Sequence, residues 1–281
     1  MTPITDRTGR FSILKTATLA GLVAPAAYLL WRYWSGDLGP LPAKEALLVS
    51  GLWAIRFLVA TLALTPLQRM FNWPKLALIR RMAGIGAFAY GALHFALYIV
   101  TSNFDLGLVA SEIVSRIYLT IGFAALFGLS LLAATSTDRA VRALGKSWKL
   151  LHKTVYVIAA LGVVHFFMQS KIDASEATLM AGLFLTLMIY RLAITKRMGL
   201  TPPVLALSAV AGAMATAIAE FAWYGLATGA DPWRIAEANL SLIAGPRPAV
   251  IVGLAGMIFA ALCLARSSLK KQAPRARLSP A

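Results

Sequence analysis

The stretch RRMAGIGAFAYGALHFALY, residues 80–98, shows the pattern on which the fold depends. Two arginines stand at its start, and an uncharged, largely apolar run then continues to Thr101. About 20 apolar residues in a helix cross the ~30 Å hydrocarbon core of a bilayer. His94 lies inside the run, where an imidazole costs free energy unless it has a partner. The stretch therefore predicts a transmembrane helix over residues 82–101 that carries a functional histidine.

Similar runs recur along the whole chain. Of its 281 residues 59% are hydrophobic, and the mean hydropathy is +0.73. We predict an all-α fold, a polytopic transmembrane helical bundle without a repeat of 20–50 residues. The predicted spans are 13–33, 46–65, 82–101, 117–134, 150–168, 176–194, 203–226 and 249–265. The first span is expected to be an uncleaved helix, residues 230–245 a short amphipathic surface helix, and the tail after Arg266 disordered beside anionic lipid.

The charge pattern predicts the orientation in the membrane. The net charge is +16, but most of the 27 Lys and Arg residues lie in short segments between spans or at the ends of spans, which favours membrane topology over nucleic-acid binding. With both termini in the cytoplasm, 20 basic residues fall inside and six outside, as the positive-inside rule requires, and Arg56 lies within the second span. The single Cys263 excludes an intrachain disulfide and a CxxC motif.

The three histidines indicate a haem site. His94 and His165 lie at similar depths in their spans, nearer the outer face, and each has a glycine three residues earlier. A neutral imidazole is the usual axial ligand of b-type haem iron. We therefore predict that His94 and His165 bind one iron, and that His152, at the inner edge, serves a second haem or electron uptake. A histidine that only bonds a neighbouring helix is the alternative.

Four other ionisable residues are candidates for a function. Arg80 and Arg81 stand at the inner boundary, where arginines can pair with haem propionates or a flavin phosphate. Arg56 lies inside the second span and requires a partner, such as a propionate or a quinone carbonyl. Glu220, in the seventh span, could serve a proton path or hydrogen-bond as a neutral acid.

Several motifs together resemble one family, MsrQ, also called YedZ. They are residues 80–98, Arg116–Gly122 (RIYLTIG), Ala134-Thr135-Ser136, Leu144–His152 (LGKSWKLLH), Val155-Tyr156 and His165. The resemblance covers roughly residues 10–198. It implies a ferric-reductase-like core of six helices, and hence a haem-binding transmembrane domain at 1–199. Residues 200–281 would then be an additional helix pair with a basic cytoplasmic tail.

The resemblance also implies a function. Such subunits lie in the bacterial inner membrane, carry haem b and are described with FMN, and His94, His152 and His165 match the family's histidines. They take electrons from the quinone pool and pass them to a periplasmic molybdopterin-containing methionine sulfoxide reductase, their heterodimer partner, which repairs oxidised proteins. The chain would thus be an electron-transfer subunit, with oxygen-atom chemistry in the partner. No residue set in the sequence locates the FMN.

Two other classes of function compete with this one. An autonomous transmembrane reductase of ferric iron or oxygen often carries a fused flavin and nicotinamide domain, which this sequence lacks. A non-haem transporter or scaffold would use the histidines to relay protons or to pack. The absorption spectrum of the purified protein distinguishes a haem protein from a scaffold.

Overall fold

The computed structural model describes residues 4–5, 9–170, 173–241 and 245–272. Its described regular elements are all helical, which confirms the all-α prediction. The helices are α1 Ile13–Trp34, α2 Pro42–Met70, α3 Leu76–Thr101, α4 Leu106–Ser115, α5 Ile117–Ala134, α6 Asp138–Lys153, α7 Val155–Gln169, α8 Ser175–Thr195, α9 Pro202–Trp223, α10 Pro232–Leu240 and α11 Pro248–Gln272. A π-helical turn, Tyr224–Thr228, follows α9.

Eight helical segments of the described chain are long and apolar enough to cross a membrane, as predicted. Every predicted span falls within one of them, and α6 with α7 forms a single such segment. The chain is therefore a multi-pass membrane protein.

Two predicted boundaries in the first half of the chain are wrong. Helix α2 does not end near Thr65 but continues through Pro66 to Met70. In a membrane-embedded helix, neighbouring groups can satisfy the carbonyl that a proline leaves unbonded. Helix α3 begins at Leu76, so Arg80 and Arg81 lie inside its first turns rather than before it.

The sequence analysis missed two helices. Helix α4 is only ten residues long, too short to span a membrane, and Asp105 caps it by accepting a hydrogen bond from Leu108 N–H at 2.9 Å. Helix α6 is amphipathic and basic, so it lacks the continuous apolar run of a span. It bends at Gly145, whose φ of +50° and ψ of −118° favour a residue without a side chain.

The C-terminal predictions hold in part. A short helix in the predicted segment is confirmed as α10, Pro232–Leu240, capped by Asp231, while residues 242–244 of that segment lie outside the described residues. The disorder predicted directly after Arg266 is wrong, because α11 continues to Gln272. Residues 273–281 of the tail lie outside the described residues.

The described residues form two compact units. Unit 1 comprises Met1–Gln68 and Pro74–Lys171, and unit 2 comprises Arg69–Trp73 and Ile172–Ala281. The predicted domain boundary at residue 199 marks the end of the family core, whereas the two units are defined by how the helices pack. The boundary stays a prediction.

Close helix approach characterises both units. In unit 1, a Cβ on Gly86 of α3 would lie 2.5 Å from the Leu22 side chain of α1, so the glycine allows this crossing. In unit 2, Gly256 of α11 lies against Ala209 of α9 in the same way. Small residues at helix crossings are typical of membrane bundles, where backbones must approach closely to gain packing contacts.

Candidate functional site

His94 is held by the neighbouring helix α2. Its Nδ1 lies 2.8 Å from the Leu47 carbonyl oxygen. One turn further along α2, Gly51 faces the ring, and a Cβ there would lie 2.7 Å from Nδ1. The ring therefore occupies the space that a side chain at position 51 would need.

His165 is held in the same way by helix α5. Its Nδ1 lies 2.8 Å from the Tyr118 carbonyl oxygen. A Cβ on Gly122, one turn further along α5, would lie 2.6 Å from that nitrogen. Each histidine thus has one carbonyl to orient it and one glycine to make room for it.

These contacts determine the tautomer of both rings. A main-chain carbonyl oxygen can only accept a hydrogen bond, so Nδ1 of each histidine must carry the proton. In a neutral imidazole, Nε2 then carries the lone pair. A metal ligand requires this arrangement, because a hydrogen bond at the remote nitrogen fixes the ring and leaves the other nitrogen for the ion.

The two rings lie at a separation suitable for one shared metal ion. Their centroids are 6.3 Å apart and their planes make an angle of 80°. Two imidazoles with nitrogen–metal bonds of about 2 Å, plus about 1 Å from nitrogen to ring centre, would have centroids about 6 Å apart. An edge-to-face aromatic pair could have the same spacing, so the space around the rings decides between the two.

That space is a cavity of about 630 Å³ lined by both histidines. Its size is in the range of cofactor sites, and its walls are mostly apolar. Gly91 and Gly162, three residues before the histidines, both line it. The residues present therefore fit a tetrapyrrole held by the two imidazoles.

The cavity lining repeats itself at an offset of 71 positions. Of the 27 lining residues, 22 form 11 pairs at this offset. The pairs are Leu47 and Tyr118, Leu48 and Leu119, Gly51 and Gly122, Leu52 and Phe123, Ala54 and Ala125, Ile55 and Leu126, Leu58 and Leu129, Gly91 and Gly162, His94 and His165, Phe95 and Phe166, Tyr98 and Gln169. Helices α2 and α3 thus correspond to α5 and α7. A search for periods of 20–50 residues could not find this repeat, although the shared Gly-x-x-His spacing was a signal for it.

Contacts between the halves are reciprocal, as in a two-fold arrangement. A Cβ on Gly91 would lie 3.3 Å from Leu126, and one on Gly162 would lie 3.3 Å from Ile55. Ile55 and Leu126 are themselves 71 positions apart. The site is therefore a pseudo-symmetric cage with one histidine from each half.

One end of the cage, which we call the mouth, is polar. Lys44, Tyr98, Glu112, Arg116 and Tyr118 line the cavity there. Tyr98 donates a hydrogen bond to Glu112, whose other carboxylate oxygen lies 2.6 Å from Arg116. The sequence analysis did not select these residues as site residues, since Glu112 reaches the cavity through the unpredicted helix α4.

His152 does not line this cavity and lies at the opposite end of unit 1. The Thr135 hydroxyl lies 2.7 Å from the Leu131 carbonyl oxygen and 3.1 Å from His152 Nε2. The Trp148 ring stacks on the imidazole with centroids 3.9 Å apart. The hydrogen bond of His152 is thus at Nε2, whereas those of the other two histidines are at Nδ1.

The predicted arginines also lie away from the cage. Arg81 forms an ion pair with Asp138 at 2.7 Å, and Arg80 lies 3.3 Å from the Thr65 hydroxyl, both at the end that carries His152. Arg56 has its guanidinium carbon 5.2 Å from the centre of the Trp53 ring. None of the three lines the cavity described above.

Glu220 has its partners in unit 2. This fully buried carboxylate pairs with Arg247 and accepts a hydrogen bond from the Asn239 amide at 2.8 Å. In the nearby loop, hydrogen bonds from Ser175, with a contribution from Arg247, lower the pKa of Asp173. The contacts of Glu220 join α9, α10 and the segment before α11.

Comparison with known proteins agrees with this architecture. Residues 50–163 match the family described as ferric reductase like transmembrane component. This range covers most of α2 and all of α5, the helices whose main-chain carbonyls bond the two histidines of the cage. It includes His94 and His152 and ends two residues before His165. No solved structure matches the chain.

Three relatives carry the name protein-methionine-sulfoxide reductase heme-binding subunit MsrQ. The protein of Rhodospirillum rubrum is 40% identical over 189 residues, 66% of this chain and 88% of the relative. That of Xanthomonas oryzae pv. oryzae is 38% identical over 64% of this chain and 85% of the relative, and that of Caulobacter vibrioides is 36% identical over 66% and 91%. The chain therefore belongs to the MsrQ family.

Proposed function

We propose that this chain is a membrane electron-transfer subunit whose cage holds one haem b between His94 and His165. The observation that carries the proposal is the pair of imidazoles, each oriented through Nδ1 and separated by 6.3 Å, in a cavity of about 630 Å³. The relatives' printed name, a heme-binding subunit, supports the same cofactor.

The haem would supply reversible one-electron chemistry, and the protein would control how that chemistry is used. The Leu47 and Tyr118 carbonyls orient the imidazoles and keep Nε2 unprotonated. The walls of the cavity are mostly apolar, which would favour electron transfer over reactions with solvent. His94 and His165 would hold the group from the two halves of the cage, as suits a carrier rather than a catalyst.

The charge pattern supports an orientation for the mouth. Lys44 and Arg116, at the mouth, belong to the six basic residues predicted to lie outside, whereas Arg80 and Arg81 belong to the 20 inside. The mouth would therefore face the periplasm, with the chain in the bacterial inner membrane and both termini in the cytoplasm. Electrons would leave on the mouth side.

The printed name of the relatives also implies a partner. We propose that the electrons pass to a periplasmic molybdopterin-containing methionine sulfoxide reductase in a heterodimer, and that this partner performs the oxygen-atom chemistry. The quinone pool is the proposed donor, with uptake near His152, Arg80 and Arg81. FMN stays a prediction from the family, as does a role for Arg56 toward a cofactor.

The proposed haem domain is residues 1–199, with 200–281 as an additional module. All residues of the cage lie between Lys44 and Gln169, which supports this assignment. The two C-terminal spans contribute nothing to the cage lining described above.

Absorption spectra of the full-length protein in detergent test the proposal. The wild type should show the Soret and α bands of a reduced low-spin b haem, and His94→Ala and His165→Ala should each lose most of that haem. The pseudo-symmetry of the cage predicts that the two losses are similar. His152→Ala is the control and should keep the low-spin spectrum.

Three outcomes would contradict parts of this proposal. Full-intensity low-spin spectra in both alanine variants would exclude the ligand pair. A wild type without haem would favour a scaffold. A haem protein that reduces ferric iron or oxygen at full rate, and does not co-purify with a molybdenum protein, would favour the autonomous reductase.

A further inference from the structure

The cage has a consequence for any asymmetric ring bound inside it. Apart from the residues of the mouth, the described wall of the cavity carries no carboxylate, lysine or arginine, and both histidines are anchored in the same way. A haem b is asymmetric, because its two carboxylate side chains project from one edge. The walls below the mouth would therefore not determine which end of the cavity this edge faces.

The symmetry is broken at the mouth. The counterpart of Tyr98 is Gln169, and the counterpart of Tyr118 is Leu47, which has no hydroxyl. Arg116 and Lys44 line the cavity, whereas the residues 71 positions away, Glu45 and Ser115, do not. Lys44 and Arg116, the Lys and Arg residues that line the cavity, therefore have no basic counterpart in the other half.

Arg116 is held in position but keeps donors free for a ligand. It pairs with Glu112 at 2.6 Å and donates to the Tyr118 hydroxyl at 3.1 Å, while 51% of its side chain is exposed. A guanidinium has five N–H donors, more than these two acceptors use. The same Tyr118 supplies the carbonyl that orients His165, so the arginine is connected to an axial ligand.

The charges at the mouth suit an anionic ligand edge. Lys44 and Arg116 are cationic, and Glu112 is the carboxylate among the mouth residues. Arginine binds carboxylates through paired, charge-assisted hydrogen bonds, which are shorter and stronger than neutral ones. Lysine adds a flexible point charge.

We propose that Arg116 and Lys44 bind the carboxylates of the haem and thereby place the carboxylate edge of the ring at the mouth rather than at the opposite end of the cage. This inference rests on the proposed function. It assigns the carboxylates to the mouth rather than to Arg80 and Arg81, which the sequence analysis had selected for that role.

Binding of two tetrapyrroles to the haem-free full-length protein tests the inference. Haem b and its dimethyl ester have the same ring and iron, but the ester has no carboxylates. The wild type should bind haem b at least about tenfold more tightly than the ester. Arg116→Gln and Lys44→Gln should each reduce that preference, and Arg116→Lys should keep part of it.

The matched control is Arg32→Gln. Arg32 is also a cation near the predicted outer surface, but it pairs with Glu45 at 3.6 Å and does not line the cavity. This variant should keep the wild-type preference. A second measurement is the circular dichroism of the Soret band, which should change in the Arg116 and Lys44 double variant as a second ring orientation becomes populated.

The outcomes separate this inference from the proposed function. If the wild type binds haem b and the ester equally well, the inference is wrong while the histidine ligands stand, and this comparison needs no variant to fold. An unchanged preference in both Gln variants would also overturn it, because anionic lipid or a partner would then be the ligand of these cations. Binding of neither compound would overturn both proposals.

Discussion

The hydrogen-bond partner of each imidazole distinguishes the three histidines. His94 and His165 donate through Nδ1 to main-chain carbonyls, whereas Nε2 of His152 forms its hydrogen bond with a threonine hydroxyl. Among the described residues, only the first arrangement leaves Nε2 without a hydrogen-bond partner. The residue type is the same for all three, so the neighbour of each ring decides which of them suits a metal ligand.

Gly51→Ala and Gly122→Ala should each weaken haem binding. The new methyl group would lie within 3 Å of the histidine ring, so the ring must move and its hydrogen bond to the carbonyl must lengthen. Loss of such an outer hydrogen bond typically weakens metal binding about 10–100-fold. Haem dissociation, followed by the decay of the Soret band with a haem-scavenging protein present, measures the effect.

Gly21→Ala is the control for these two variants. Gly21 lies in α1, and a Cβ there meets no atom within 4 Å. The control should keep the wild-type dissociation rate. Equal rates in all three variants and the wild type would mean that the rings do not act as ligands.

At the scale of helices, one side chain joins α1 to α3. The Tyr90 hydroxyl accepts a hydrogen bond from Ala26 N–H at 2.9 Å and donates to the Leu22 carbonyl at 2.8 Å. Ala26 and Leu22 are four residues apart, the spacing of a helical hydrogen bond. Pro25 lies beside them in the helix, so the hydroxyl satisfies the backbone of α1 where that helix contains a proline.

Tyr90→Phe should therefore destabilise the protein. Without the hydroxyl, two backbone groups in an apolar environment lose a partner, at a cost of about 1–3 kcal/mol. Thermal unfolding in detergent measures this loss. Tyr28→Phe is the control, because Tyr28 is 58% exposed, and the hypothesis fails if both variants unfold at the same temperature.

Glycine and threonine interlock helices α8 and α9 in unit 2. A Cβ on Gly182 would meet Thr216, and one on Gly212 would meet Thr186. Each threonine donates its hydroxyl proton to the carbonyl of the glycine four residues earlier, at 2.7–2.8 Å. The pattern is the small-residue packing that membrane helices use in place of a hydrophobic driving force.

At the scale of the whole molecule, the cage lies within unit 1, while the Gly182–Thr216 contact lies within unit 2. Gly182→Ala should therefore lower the stability of the protein by about 1–3 kcal/mol through overpacking and leave the haem spectrum unchanged. Thermal unfolding and absorption spectra of the same sample measure both effects. Gly51→Ala is the matched comparison and should change the spectrum.

A different result would revise the assignment of the site. If Gly182→Ala removed the haem as strongly as Gly51→Ala does, the haem site would depend on unit 2. The additional helices of residues 200–281 would then belong to the cofactor domain.

The transmembrane character of the chain was predictable because hydropathy is a local property. Each span appears as a continuous apolar run, and the predicted spans fall within the helices observed. Helix ends were less predictable. The continuation of α2 through Pro66 depends on neighbouring groups, and the basic helix α6 has no apolar run to mark it.

The candidate ligands were partly predictable. An imidazole in an apolar run is rare enough to mark His94 and His165, and equal depth indicated that they meet. The cations were not predictable, because Arg80 and Arg81 stand out in the sequence while Lys44 and Arg116 resemble ordinary loop charges. Their place at the cavity depends on how α2, α4 and α5 pack.

The sequence by itself determined the multi-pass helical class and the family, and it marked the two histidines as candidates, since these follow from composition and local motifs. Only the tertiary structure decided which ring nitrogen is protonated, which glycine makes room for which ring, and which cations reach the cavity. The hydrogen bonds of the two rings join residues 47 positions apart within each half and are duplicated at an offset of 71. Contacts over such distances along the chain arise from helix packing and have no local signature.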